Sequence, residues 1–168
     1  MPHLVSDPVD SSTDPTSTAT QPPATTNNLP PEALALAERL FEAARTGSIP
    51  LLESALTHNG GIANLTNSKG DTLLMLASYH GHIELTRMLL QRFNADPNVL
   101  NLRGQSPLAG SVFKNEDEIL RVLLEAGADP DLGTPSAEEC LGVFKPGERY
   151  GTLFEEARAR LRAGRQGD

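Results

Sequence analysis

The sequence repeats itself at a fixed interval. Gly70-Asp71-Thr72-Leu73-Leu74-Met75-Leu76-Ala77 lies over Gly104-Gln105-Ser106-Pro107-Leu108-Ala109-Gly110-Ser111 at an offset of 34 residues, and Arg87-Met88-Leu89-Leu90 lies over Arg121-Val122-Leu123-Leu124 at the same offset. Ala95-Asp96-Pro97 then meets Ala128-Asp129-Pro130 at an offset of 33, so the earlier copy carries one extra residue near Phe93. A period in this range marks a repeat architecture, in which one unit cannot bury its apolar face alone and is completed by its neighbours.

Each copy carries the signals of a helical pair. Thr72 and Ser106 can cap a first helix, and Pro107 follows its cap at the position where a missing N–H is tolerated. Gly47, Gly81 and Asn115 align at the turn between helices, and Gly60, Asn94 and Gly127 align after the second helix. Gly and Asn enter the left-handed conformation most readily, so left-handed turns are expected at both places. A degraded first copy therefore occupies 37–66, carried by Ala43, Ala44, Gly47, Leu51, Leu52, Leu56 and Asn64. Upstream, Pro31 suits a first helical position, and Leu34, Ala37, Leu40, Phe41 and Ala44 form one apolar helical face. Ser136-Ala137-Glu138-Glu139 and Thr152-Leu153-Phe154-Glu155 read as capping boxes opening helices at about 137–144 and 153–163. With 4% aromatic residues and no Trp, the core must be built from Leu and Ala, which suits stacked helices.

These segments resemble the ankyrin-repeat family. Thr72-Leu73-Leu74-Met75-Leu76-Ala77 and Ser106-Pro107-Leu108-Ala109 are similar to its Thr-Pro-Leu-His-x-Ala segment. Gly81-His82 and Leu123-Leu124-Glu125-Ala126-Gly127-Ala128-Asp129-Pro130 resemble it almost letter for letter. Met75 and Ala109 depart from it, standing where the family prefers His. The wording of the repeats is most similar to short free-standing ankyrin proteins of filamentous fungi and actinobacteria. The resemblance implies an all-α solenoid of about three helix-turn-helix repeats, with short β-hairpin loops and a C-terminal helical cap. The expected boundaries are a disordered tail at 1–30 and an array at 31–163. The array divides into the degraded repeat 37–66, repeats 67–100 and 101–133, and the cap 134–163; a disordered end follows at 164–168.

The tail is expected to be disordered because its Ser-, Thr- and Pro-rich composition leaves too little apolar surface to offset ordering entropy. No secretory signal or membrane-spanning run is found, and the lone Cys140 cannot form an intrachain disulfide. A cytoplasmic protein is expected, with the nucleus also open to it.

No constellation for chemistry stands out. His80 and His82 are two residues apart at a helix start and do not share a face, and no carboxylate or thiol stands at metal spacing from them. Cys140 lies among Leu141, Val143 and Phe144, the setting of a packed, inert thiol. We find no phosphate-binding glycine loop and no nucleophile elbow, so neither catalysis nor a cofactor is expected.

In ankyrin proteins, partners meet the hairpin tips and the exposed face of each first helix. Carried over position by position, the resemblance implies a binding face of Arg45, Lys69, Asp71, Tyr79, His80, Leu102, Arg103, Gln105, Phe113 and Lys114, flanked by Thr46 and Ser68. The chain has 14 basic and 22 acidic residues, yet this face holds four cations against the single acid Asp71, with two aromatic anchors. Such a face suits an acidic peptide or protein segment. The competing readings are a chaperone or inhibitor that shields a basic partner with an acidic surface, and an unrecognised enzyme or metal site built from His80, His82 and Cys140. Arg158, Arg160, Arg162 and Arg165 form a second basic cluster, where cations stabilise a helix C-terminus. A sequence pI near 5.0 argues against nucleic acid as the main partner. A monomer is expected.

Overall fold

The computed structural model describes residues 24–144 and 150–165. Most of the expected tail (1–23) and the last three residues of the expected C-terminal end lie outside the described residues. Among the described residues eight α-helices follow one another: α1 (Pro31–Thr46), α2 (Ile49–His58), α3 (Leu73–Tyr79), α4 (Ile83–Arg92), α5 (Pro107–Lys114), α6 (Asp117–Glu125), α7 (Ala137–Phe144) and α8 (Gly151–Arg165). The first helices form one layer, with α1 on α3, α3 on α5 and α5 on α7. In the second layer α4 packs on α6 and α6 on α8. The C-terminal cap thus stacks as a fourth helical pair, on both layers at once.

Side chains with the repeat register fill the space between layers. Leu40, Leu74 and Leu108 recur at steps of 34, as do Leu85 with Ile119 and Leu89 with Leu123, and all are fully buried. Burying each such side chain stabilises the array by about 1.5–3 kcal/mol. Phe154 of α8 closes the far end of the same core.

The helix starts are held as the capping residues predict. Thr72 Oγ1 accepts from Met75 N at 3.1 Å, and Ser106 Oγ accepts from Ala109 N at 3.1 Å. The box at α7 is reciprocal: Glu139 N donates to Ser136 Oγ at 3.2 Å and Ser136 N donates to Glu139 Oε2 at 2.8 Å. The second expected box is not one. α8 begins at Gly151, which places Thr152 inside the first turn, where its hydroxyl is past the cap position. The turns between helices are left-handed, with φ of 75° at Gly47, 81° at Gly81 and 66° at Asn115. After the second helices, Asn94 and Gly127 are left-handed but Gly60 is not; it opens a 3-10 turn, Gly60–Ile62, whose start is capped by Asn59.

The hairpin loops are short, as expected: single antiparallel bridges join Thr66 to Thr72 and Gly133 to Ser136, with no longer strand among the described residues. Asn67 and Asn101 shape the two equivalent tips, each side-chain oxygen accepting two backbone N–H groups of its own turn. Tips are then tied to one another. Leu102 N donates to the Lys69 carbonyl at 3.0 Å, and Thr134 N donates to the Gly104 carbonyl at 2.8 Å. A parallel set of rungs runs behind them, with Asp96 N donating to Asn64 Oδ1 and Asp129 N to Asn98 Oδ1, both at 2.8 Å.

Residues 24–29, assigned to the tail on composition, lie against the array. Thr26 N donates to the Thr66 carbonyl at 3.1 Å, Thr66 N donates to the Ala24 carbonyl at 2.9 Å, and Leu29 packs on the core. A Thr-rich stretch can extend the edge of a hairpin through its backbone, which a count of apolar side chains does not register.

Candidate binding surface

Each first helix ends one residue before a left-handed turn in α1 and α5, and two residues before Gly81 in α3. Because the turn positions 47, 81 and 115 are 34 apart, the residues before them form two ranks across the array. One rank is Arg45, Tyr79 and Phe113; the other is Thr46, His80 and Lys114. The glycines permit close joints beneath these ranks. A Cβ on Gly47 would lie 2.6 Å from His82 Nδ1, and the His82 ring donates through Nε2 to the Arg45 carbonyl at 2.7 Å. In the next repeat Glu116 takes the corresponding place, 3.0 Å from where a Gly81 Cβ would be.

The ranks are electrostatically coupled. Lys114 Nζ sits 5.2 Å from the centre of the Tyr79 ring, a cation–π contact between repeats. Tyr79 meets His80 edge-on at 5.5 Å, and His80 stacks with His82 at 6.4 Å. Partial burial, then the fields of His82, Lys114 and Arg45, hold the His80 imidazole below its ordinary pKa, against a smaller opposing pull from Glu42. The shift favours the neutral imidazole, which lies in the field of the Lys114 and Arg45 cations. Arg45 pairs with Glu42 at 3.1 Å, an acid of this face that the resemblance does not bring in.

A second group stands at the hairpin tips. Lys69, Leu102 and Arg103 project outward, with Leu102 79% exposed. Asp71, expected to be exposed here, is 8% exposed. It accepts from Asn101 Nδ2 at 2.9 Å, an inter-repeat bond that uses the carboxylate as structure. Gln105, half-buried, accepts from the same Asn101 amide at 3.0 Å. Asp71 is thus an inter-repeat acceptor and not an exposed acid of the face. Lys69, Arg103 and Lys114 have no ion-pair partner among the described residues.

The C-terminal arginines serve the cap. Arg158 grips Asp131 through two nitrogens and also reaches Glu138 at 2.9 Å, while Arg165 lies 3.8 Å from Asp129. The Arg158 hydrogen bonds to Asp131 hold its carboxyl below the usual carboxylate range. Arg158 and Arg165 thus fasten α8 to the preceding loop and α7, a role that helix spacing alone does not reveal. Around His80 and His82, no third group completes a metal-holding set among the described residues. Cys140 is buried, which pushes its thiol pKa up and keeps it protonated.

The family model for ankyrin repeats, in three copies, matches residues 40–134. The chain belongs to the ankyrin-repeat family. A putative ankyrin repeat protein of Pseudomonas aeruginosa is 48% identical over 57 residues, covering 34% of this chain and 33% of that protein. The human NAD-capped RNA hydrolase NUDT12 is 33% identical over 104 residues, covering 61% of this chain and 22% of the hydrolase. A putative ankyrin repeat-containing protein of Treponema pallidum is 29% identical over 114 residues, covering 68% of this chain and 36% of its own. The match therefore spans at most about a third of these relatives, and the likeness reaches well beyond filamentous fungi and actinobacteria. Among the described residues, no helix of the ankyrin array is long and apolar enough to cross a membrane.

Proposed function

We propose that this ankyrin array is a non-enzymatic adaptor or scaffold that binds an acidic protein segment on the face formed by its first helices and hairpin tips. One observation carries the reading. Lys69, Arg103 and Lys114 point from that face without an ion-pair partner among the described residues, beside the exposed apolar groups Leu102, Tyr79 and Phe113. Unpaired cations next to aromatic anchors steer an acidic partner and then hold it. With Asp71 buried, the acids beside the ranks are Glu42, paired with Arg45, and Glu116 at the Gly81 turn, and the hairpin tips carry Lys69 and Arg103, which argues against shielding of a basic partner here. The enzymatic name of one relative belongs to that protein, of which this chain matches 22%. We place the adaptor in the cytoplasm and expect it to act as a monomer.

The test is binding of acidic peptides and proteins to the wild type and to the Arg103→Glu, Lys114→Glu double variant, with unfolding curves confirming that the variant folds. Loss of binding with an intact unfolding transition supports the proposal. Equal binding by both proteins refutes it.

A further inference from the structure

We propose, resting on the acidic-partner reading, that the bound segment is an extended, polyproline-II-like acidic chain lying along the stacking axis. It would place one contact residue on each repeat at every third position. The argument starts from the two ranks before the turns, which recur at one position per repeat. Packed helices lie about 8–10 Å apart, so successive members of a rank are offset by roughly that distance. A polyproline II chain advances about 3.1 Å per residue with three residues per turn, or about 9.3 Å between residues on one face. A β-strand returns to the same face at about 6.6 Å and loses register with the ranks after one step.

An α-helix could match the step only every seventh residue, at about 10.5 Å. Along such a helix about six residues would lie between successive contacts, whereas the polyproline chain returns a side chain to the ranks at every turn. The chemistry along the ranks is also graded. Arg45 stands at one end, Tyr79 and His80 in the middle, and Lys114 with Phe113 at the other. An acid at i, a proline or apolar residue at i+3 and an acid at i+6 would meet this order. Aromatic faces suit the pre-organised polyproline backbone, which gives up little entropy on docking.

The probe is a labelled proline-rich peptide with Glu at i and i+6, compared by fluorescence anisotropy on the full chain with an isomer carrying Glu at i and i+4. The in-register peptide is expected to bind about tenfold more tightly, and Tyr79→Ala and Phe113→Ala each to weaken it by about tenfold. Equal affinity for the two peptides, or indifference to both ring substitutions, overturns the extended-register proposal. If the two peptides bind equally but both lose affinity to the Arg103→Glu, Lys114→Glu variant, the acidic-partner reading survives alone. If neither peptide binds, both readings fall.

Discussion

Replacing Gly47 by alanine tests the joint between the first two helical pairs. Two penalties act there. Gly47 has φ of 75°, a conformation that costs an L side chain about 1–2 kcal/mol. Its new Cβ would also meet the body of the His82 ring at 2.6–3.0 Å, not a flexible tip. The ring must swing out, breaking its 2.7 Å hydrogen bond to the Arg45 carbonyl, which is worth about 0.5–1.5 kcal/mol net. The expected loss is about 1.5–3.5 kcal/mol, read from urea unfolding followed by circular dichroism. Gly127 supplies the control. Its φ is 90° but nothing lies within 4 Å of its Cβ position, so Gly127→Ala should cost only the conformational part, about 1–2 kcal/mol. In a His82→Ala background Gly47→Ala should fall to the same value, because the obstacle is gone. If Gly47→Ala costs the same with and without the His82 ring, the ring does not occupy the space left by the glycine, and the reasoning fails.

Three further outcomes are expected. Leu123→Ala should cost about 2–5 kcal/mol, and more than Leu90→Ala, because Leu123 is fully enclosed while Leu90 borders a groove open to solvent. Unfolding curves with the opposite order would contradict this packing. Asp71→Ala should lower stability by about 1–3 kcal/mol, since it removes a buried partner of Asn101, and should leave acidic-peptide affinity unchanged. A selective affinity change would return Asp71 to the binding face. The Asp131 carboxyl has a folded pKa below its unfolded value of 3.8, so the stability it contributes is present above about pH 4 and lost as pH falls through the folded pKa. Wild type should therefore exceed Asp131→Asn in stability near neutrality and converge with it in acid; a constant gap between them from pH 2 to 6 would rule out the ion pair as the cause.

The stacked fold is legible in the sequence because each repeat unit needs the same few physical devices. Thr72 and Ser106 announce helix starts, Gly47, Gly81 and Asn115 announce turns, and the Leu positions 40, 74 and 108 repeat in step. What escapes the sequence depends on a neighbour. Asp71 is polar and stands at a loop tip, so it looks exposed; only the Asn101 side chain of the next repeat shows that it is enclosed. Gly60 aligns with two left-handed residues, but the degraded first repeat closes instead with a 3-10 turn. Arg158 fits any helix C-terminal half until Asp131 and Glu138 are placed beside it. Residues 24–29 attach through backbone groups, which side-chain composition cannot report.

The joints beneath the ranks are not copies of each other. His82 fills the space left by Gly47, whereas Glu116 stands over Gly81. A chain of near-identical units can fold with its units paired out of order, a characteristic failure of repeat proteins. Here a skipped unit would bring a carboxylate, rather than an imidazole N–H, toward the Arg45 carbonyl, replacing a hydrogen bond by two facing acceptors. The unlike side chains at these two turns thus act as an address, telling each unit which neighbour comes next.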